Sequence, residues 1–200
     1  ILCKVTDRTA DRIQERIEAD RKRNRSGICI RRNNSKKNSI KGKMMKNRKP
    51  DGCREVLKLK IAIVTGASSG MGREFALQIP QLYKNLDELW VVARRTDRLK
   101  SLQEQVKISV RIFDGDMQRD YIFEKLQREL DRRQADVRML VNAAGYGKIG
   151  NVSDIDLKEQ CGMVDLNCTA LPRMTGIGLP YLSKGSRIVN LASAASFCAQ

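Results

Sequence analysis

The run Ile61-Ala-Ile-Val-Thr-Gly-Ala-Ser-Ser-Gly-Met-Gly-Arg-Glu-Phe75 decides the fold. Leu59, Ile61, Ile63 and Val64 form a short apolar segment with the look of a buried strand, and three glycines follow it. Gly66, Gly70 and Gly72 provide positive φ or close backbone approach that a Cβ would obstruct. The residues after them open a helix, whose first N–H groups and positive dipole end face outward. A strand, a glycine turn and a helix start in that order are the build of a dinucleotide phosphate site.

Working outward, strand and helix patterns alternate. Gly70 to about Ile79 reads as the first helix, with Met71, Phe75, Ala76 and Ile79 inward and Pro80 as its end. Leu89–Ala93 is the second strand. A polar helix from Arg98 to Gln105 follows, anchored by Leu99 and Leu102, and then a third strand at Ile108–Phe113. Asp120–Arg132 carries Ile122, Phe123, Leu126 and Leu130 at helical spacing. Val137–Val141 is the fourth strand and leads into Asn142-Ala-Ala-Gly145. A long helical stretch spans 157–182, with a bend at Pro172, before a fifth strand at Arg187–Leu191. Such alternation predicts an α/β fold, a doubly wound parallel sheet of the Rossmann-like kind.

The 200 residues carry a formal net charge of +16. Residues 1–60 hold 20 basic against 7 acidic side chains, net +13, which leaves only +3 for the remainder. The excess therefore belongs to the leading segment. Residues 1–58 lack the apolar content to fold alone and read as a basic, disordered or adventitious extension, with the dinucleotide-binding domain over 59–200. No aromatic residues are interleaved among the basic ones for base stacking, so nucleic-acid binding by this arm is disfavoured. The chain has no histidine, and its six cysteines form no C-x-x-C pair, which argues against a zinc site. Scattered thiols, no membrane-length apolar run and no signal pattern point to a cytoplasmic protein without membrane contact.

The commonest dinucleotide fingerprint is G-x-G-x-x-G, whereas Gly66, Gly70 and Gly72 give G-x-x-x-G-x-G. Thr65-Gly-Ala-Ser-Ser-Gly-Met-Gly72 resembles the cofactor loop of the short-chain dehydrogenase/reductase family. Ala93-Arg-Arg95, Asp116-Met117, Asn142-Ala-Ala-Gly145, Asn167 and Val189-Asn-Leu-Ala-Ser193 follow in the family's order. The resemblance implies a carbonyl–alcohol oxidoreductase with a small-molecule substrate, in a homo-oligomer when full-length. It places the cofactor against Gly66, Ser68, Ser69, Gly70, Met71 and Gly72, with Asp116 and Met117 flanking the adenine. Asn142, Ala143, Ala144 and Gly145 lie beneath its ribose, and Ala143 stands where the family more often has a second asparagine.

Enzymes that use NAD hold the ribose 2′-OH with an acid about 20 residues past the glycines. Here Ala93 occupies that place and Arg94 and Arg95 follow, which favours a 2′-phosphate and hence NADP(H) over NAD(H). By resemblance, Asn167 and Ser193 are members of the catalytic set, supporting a water path and the reacting oxygen. The family's Tyr-x-x-x-Lys stands more than seven residues after the serine, and Ser193 is followed by seven. Tyr181 and Lys184 are three apart and precede the fifth strand, so they are rejected as that pair. The expectation is a sheet incomplete at its C-terminal side, lacking the catalytic Tyr and Lys. A dinucleotide-binding module without turnover is the alternative. The 200 residues alone are expected to be poorly soluble and to show negligible NADPH-dependent carbonyl reduction; robust turnover would contradict that.

Overall fold

The computed structural model describes residues 58–193. The expected basic extension, over 1–57, lies outside the described residues, as do residues 194–200. Among the described residues no helix is long and apolar enough to cross a membrane, and no cluster of His, Cys, Asp or Glu could hold a metal ion.

Five parallel strands form one sheet: β1 (Leu59–Thr65), β2 (Glu88–Ala93), β3 (Ser109–Asp114), β4 (Ala135–Asn142) and β5 (Leu182–Asn190). Their spatial order is β3-β2-β1-β4-β5. Helices α1 (Gly70–Leu82), α2 (Thr96–Gln105), α3 (Asp120–Arg132), α4 (Leu157–Val164) and α5 (Ala170–Gly178) make the crossovers. The chain winds from β1 outward to β3, then returns to lay β4 against the other side of β1. That reversal opens a crevice beyond the carboxyl ends of β1 and β4, the usual ligand position in such sheets.

Burial on both faces explains the apolar strands. Ile61 and Ile63 join Trp90, Phe113 and the inner stripe of α3 on one face. Ala62 and Val64 join Val91, Ala76, Ile79, Leu99 and Leu102 on the other. Successive side chains of a strand alternate between faces, so a strand covered on both sides has no polar positions. Helix α3 occupies Asp120–Arg132 and buries Ile122, Phe123, Leu126 and Leu130, as its spacing predicts.

Several expectations need correction. Pro80 does not end the first helix; α1 continues to Leu82 with Pro80 buried inside it. The ring removes one N–H from the last turn, but Tyr83 N–H closes that turn on the Ile79 carbonyl at 2.9 Å. Met71 does not face the core and is 49% exposed. It lies in the first turn of α1, beyond the end of the sheet. The stretch 157–182 is not one helix. Between α4 and α5 lies a π-helical turn, Asp165–Thr169, and a 3-10 turn, Leu179–Tyr181, precedes β5. The widened turn stands just before Pro172, whose missing N–H would otherwise interrupt an α-helical ladder. β5 begins at Leu182, five residues ahead of the expected start, because residues 183–186 bulge between the pairs Val137/Leu182 and Met139/Arg187.

Tyr181 donates its hydroxyl to Asp131 Oδ1 at 2.5 Å. Burial and the Asp131 carboxylate push the Tyr181 phenol up from 10.0 to about 12. The folded chain holds this proton more tightly than the unfolded chain. Its contribution to stability is therefore intact below about pH 10 and lost as pH rises from there through about 12. The urea midpoint of Tyr181→Phe should fall less steeply than that of the wild type across this window. Parallel declines would show that Tyr181 does not titrate this way.

Candidate functional site

The site begins at the last residue of β1. Thr65 is 1% exposed. Its hydroxyl donates to the Val141 carbonyl at 3.3 Å and accepts the Ala143 and Ala144 N–H groups at 3.0 and 3.2 Å. One side chain thus joins the carboxyl ends of β1 and β4 where their regular pairing stops. Next to it, Gly66 sits at φ +70°, and a Cβ there would lie 2.6 Å from the Ala143 carbonyl oxygen. A Cβ on Gly72 would lie 2.5 Å from the Gly66 carbonyl oxygen. Three backbone segments are stacked with no room for a side chain between them.

Above this floor is a cavity of about 300 Å³, within the size range of small-molecule sites. Gly66, Ser68, Ser69, Gly70, Met71 and Gly72 form one wall. Ala143, Ala144, Gly145 and Leu166 form another, and the end of β2 with Gly115, Asp116 and Met117 completes it. The start of α1 opens onto the loop wall. Ser69 precedes it without a side-chain cap, and no acidic residue lies in its first turn. Its leading N–H groups and dipole therefore suit an anion. A glycine cradle that a Cβ would fill and an uncapped helix start together fit a dinucleotide's phosphates.

At the rim, β2 ends on Ala93, whose carbonyl accepts the Gly115 N–H at 3.0 Å. Arg94 and Arg95 follow, both lining the cavity. Arg95 bonds the hydroxyls of Ser68 and Ser69 on the glycine loop. Asp116 Oδ1 accepts the Gln118 N–H at 3.0 Å, so the carboxylate closes its own turn, and Met117 is buried.

Asn142 is the one expected cofactor residue that does not line the cavity. It lies beneath, 5% exposed, donating its amide to Thr175 Oγ1 at 3.1 Å and Asn190 Oδ1 at 2.8 Å. Asn167 stands in the widened turn of 165–169. Its amide donates to the Tyr146 carbonyl at 2.7 Å and its oxygen accepts the Tyr146 N–H at 3.0 Å. The side chain thereby seats the Gly145-Tyr146 segment, where a Cβ on Gly145 would come 2.9 Å from Asn167 Oδ1. Ser193 is exposed, three residues past β5, and is not among the residues lining the cavity.

The sequence contains one Tyr-x-x-x-Lys that its motifs did not single out, Tyr121 to Lys125 in α3. Tyr121 Oη accepts the Asp116 N–H at 3.2 Å, and Lys125 bonds Asp114 at 3.2 Å. That hydrogen bond holds the Asp114 carboxyl below its ordinary value. Both sit at the end of β3, whereas Ser193 follows β5 at the opposite edge, four strand spacings or about 19 Å away. Tyr181 stands at the start of β5, and Ser193 lies past its end. The β4 register opposite spans Val137 to Asn142, about 17 Å. Both tyrosines therefore stand well away from Ser193.

Three cavity residues, Val92, Gly115 and Leu166, were not among the expected site residues. Val92 and Leu166 look like ordinary core residues, and Gly115 like a turn former. Thr65 opens the expected cofactor loop, but the bridging role of its hydroxyl beneath the cavity had only one signal, a polar residue ending an otherwise apolar strand.

A model of the short chain dehydrogenase family matches residues 60–200. The chain belongs to that family. An uncharacterized oxidoreductase of Staphylococcus epidermidis is 27% identical over 143 residues, which are 70% of this chain and 61% of that protein. A probable short-chain type dehydrogenase/reductase of Helicobacter pylori is 29% identical, over 68% of this chain and 48% of its own length. Among solved structures, a short-chain dehydrogenase from Sphingobium yanoikuyae in complex with NADPH is similar, with a TM-score of 0.59 and 27% identity. The match covers 70% of this chain and 56% of that one. A short-chain dehydrogenase/reductase from Saccharomyces cerevisiae gives a TM-score of 0.61 and 27% identity over the same shares. The chain spans roughly half to three-fifths of the curated relatives' length.

In this chain, Thr65→Val keeps the shape of the strand end and removes the acceptor of two backbone N–H groups. Stability should fall by about 1–3 kcal/mol. A urea titration should show a lower midpoint with an unchanged slope. An unchanged midpoint would mean that the hydroxyl does not hold the two strand ends.

Proposed function

We propose that this chain belongs to an NADP(H)-dependent oxidoreductase that interconverts a carbonyl and an alcohol. The observation that carries the cofactor choice is the end of β2. It presents Ala93 and two arginines, with no carboxylate to hold a ribose 2′-OH or repel a 2′-phosphate. The NADPH bound to the Sphingobium enzyme supports the same reading. Gly66 to Gly72 and the start of α1 would hold the pyrophosphate, and Ala143 to Gly145 would lie against the ribose. When bound, the nicotinamide supplies or accepts the hydride.

Asn167 fixes the Gly145-Tyr146 segment and so shapes the cavity wall. Ser193 would steady the reacting oxygen. We further propose that the acid–base pair is not supplied by these 200 residues, since Tyr121 with Lys125 and Tyr181 with Lys184 both sit far from Ser193. On this reading the chain carries the cofactor half of the reaction. A dinucleotide-binding module without turnover shares every feature of that half. Residues beyond Ser193 would separate the two, because a Tyr-x-x-x-Lys there favours the enzyme.

Arg94→Ala tests the cofactor assignment. Titration by fluorescence should show NADPH weakened by more than about tenfold and NADH by less than about twofold. Equal losses for the two cofactors would defeat NADP(H) preference.

A further inference from the structure

We infer that Arg95 is a positioning residue that clamps the glycine loop, and that Arg94 alone is free to meet a 2′-phosphate. The loop needs such a device. It runs between two glycines in the left-handed region, Gly66 at φ +70° and Gly70 at φ +55°. Glycine gives little resistance to rotation there. Ser69 makes no side-chain cap to α1 that would fix the loop from its own end. The tie comes instead from β2. Arg95 Nε and Nη2 donate to Ser68 Oγ at 3.3 and 3.0 Å, and Nη2 donates to Ser69 Oγ at 2.6 Å.

These bonds cross 27 and 26 residues of sequence and hold the loop against the strand end from which Arg95 departs. One edge of the guanidinium is thereby turned toward the two serines. Ser68 is 7% exposed, so its bond is sheltered from competing water. Arg94, the neighbouring residue, makes no hydrogen bond or ion pair with any described residue and lines the same cavity. Two adjacent arginines thus have different work. Arg95 shapes the loop that meets the portion common to NADP(H) and NAD(H), whereas Arg94 faces what distinguishes them. The ligand named here rests on the dinucleotide reading of the cavity; the clamp itself does not.

The test has two arms, run on the wild type, Arg95→Ala, the pair Ser68→Ala with Ser69→Ala, and the combined triple variant. In the first arm, amide hydrogen exchange is followed without cofactor. Exchange over residues 67–72 should rise about tenfold in Arg95→Ala and in the serine pair, and by less than about twofold more in the triple variant. In the second, NADPH and NADH are titrated, and Arg95→Ala should weaken both by the same factor, roughly tenfold. Unchanged exchange in Arg95→Ala, or effects that multiply in the triple variant, would overturn the clamp. So would a loss confined to NADPH, which would make Arg95 a phosphate ligand. The serine pair removes only two hydroxyls and keeps the test open if Arg95→Ala unfolds. Failure of the wild type to bind either cofactor would refute the dinucleotide reading, and the exchange arm would still decide the clamp.

Discussion

The architecture of the site depends on how closely the carboxyl ends of β1 and β4 approach one another. Parallel strands end with exposed peptide groups, and at a reversal of winding direction they diverge toward separate crossovers. The Thr65 hydroxyl bridges that gap by donating to Val141 and accepting from Ala143 and Ala144. With the strand ends joined, Gly66 can rest against Ala143 and Gly72 against Gly66. Neither contact would survive a Cβ or a widening of the crevice.

The polar groups are arranged around this close-packed floor. Below it, Asn142 links β4 to Asn190 of β5 and to Thr175 of α5. Beside it, Asn167 uses both ends of its amide on the backbone of Tyr146. Above it, Arg95 reaches over to the glycine loop. Each ties its own element to another, Asn167 through backbone atoms and Asn142 and Arg95 through partner side chains. The cavity is defined by where backbone is held, and its few charged side chains stand at the rim.

The elements with a strong single period were legible in the sequence. Helix α3 has its apolar residues on one clear stripe, and β1 and β2 have no polar positions in their middles because both faces are covered. The stretch from Leu157 to Leu182 departs from the single helix its sequence suggests because a wide turn breaks its phase. α4 buries none of its residues, while α5 buries Ala170, Met174 and Gly178, and no single wheel describes both. Pro80 was read as a stop, although near a helix end it costs only one bond in the final turn. Met71 has the composition of a core residue, and only its place past the sheet edge exposes it. The glycine spacing and the arginines after β2 pointed to the cavity, but spacing carries no information on direction. Sequence alone could not show that one arginine turns to the serines while its neighbour does not.

The stacked glycines have a further consequence for how this protein can change over generations. A floor made of main chain offers nothing for point substitution to adjust, because any larger residue at Gly66 or Gly72 collides with backbone. The residues after β2, in contrast, are exposed and contribute little to the buried sheet. Space for substitution lies instead at that short segment, where the Arg94 side chain can be exchanged without moving the stacked main chain. The frame thus separates positions that sterics forbid to vary from positions that sterics leave open.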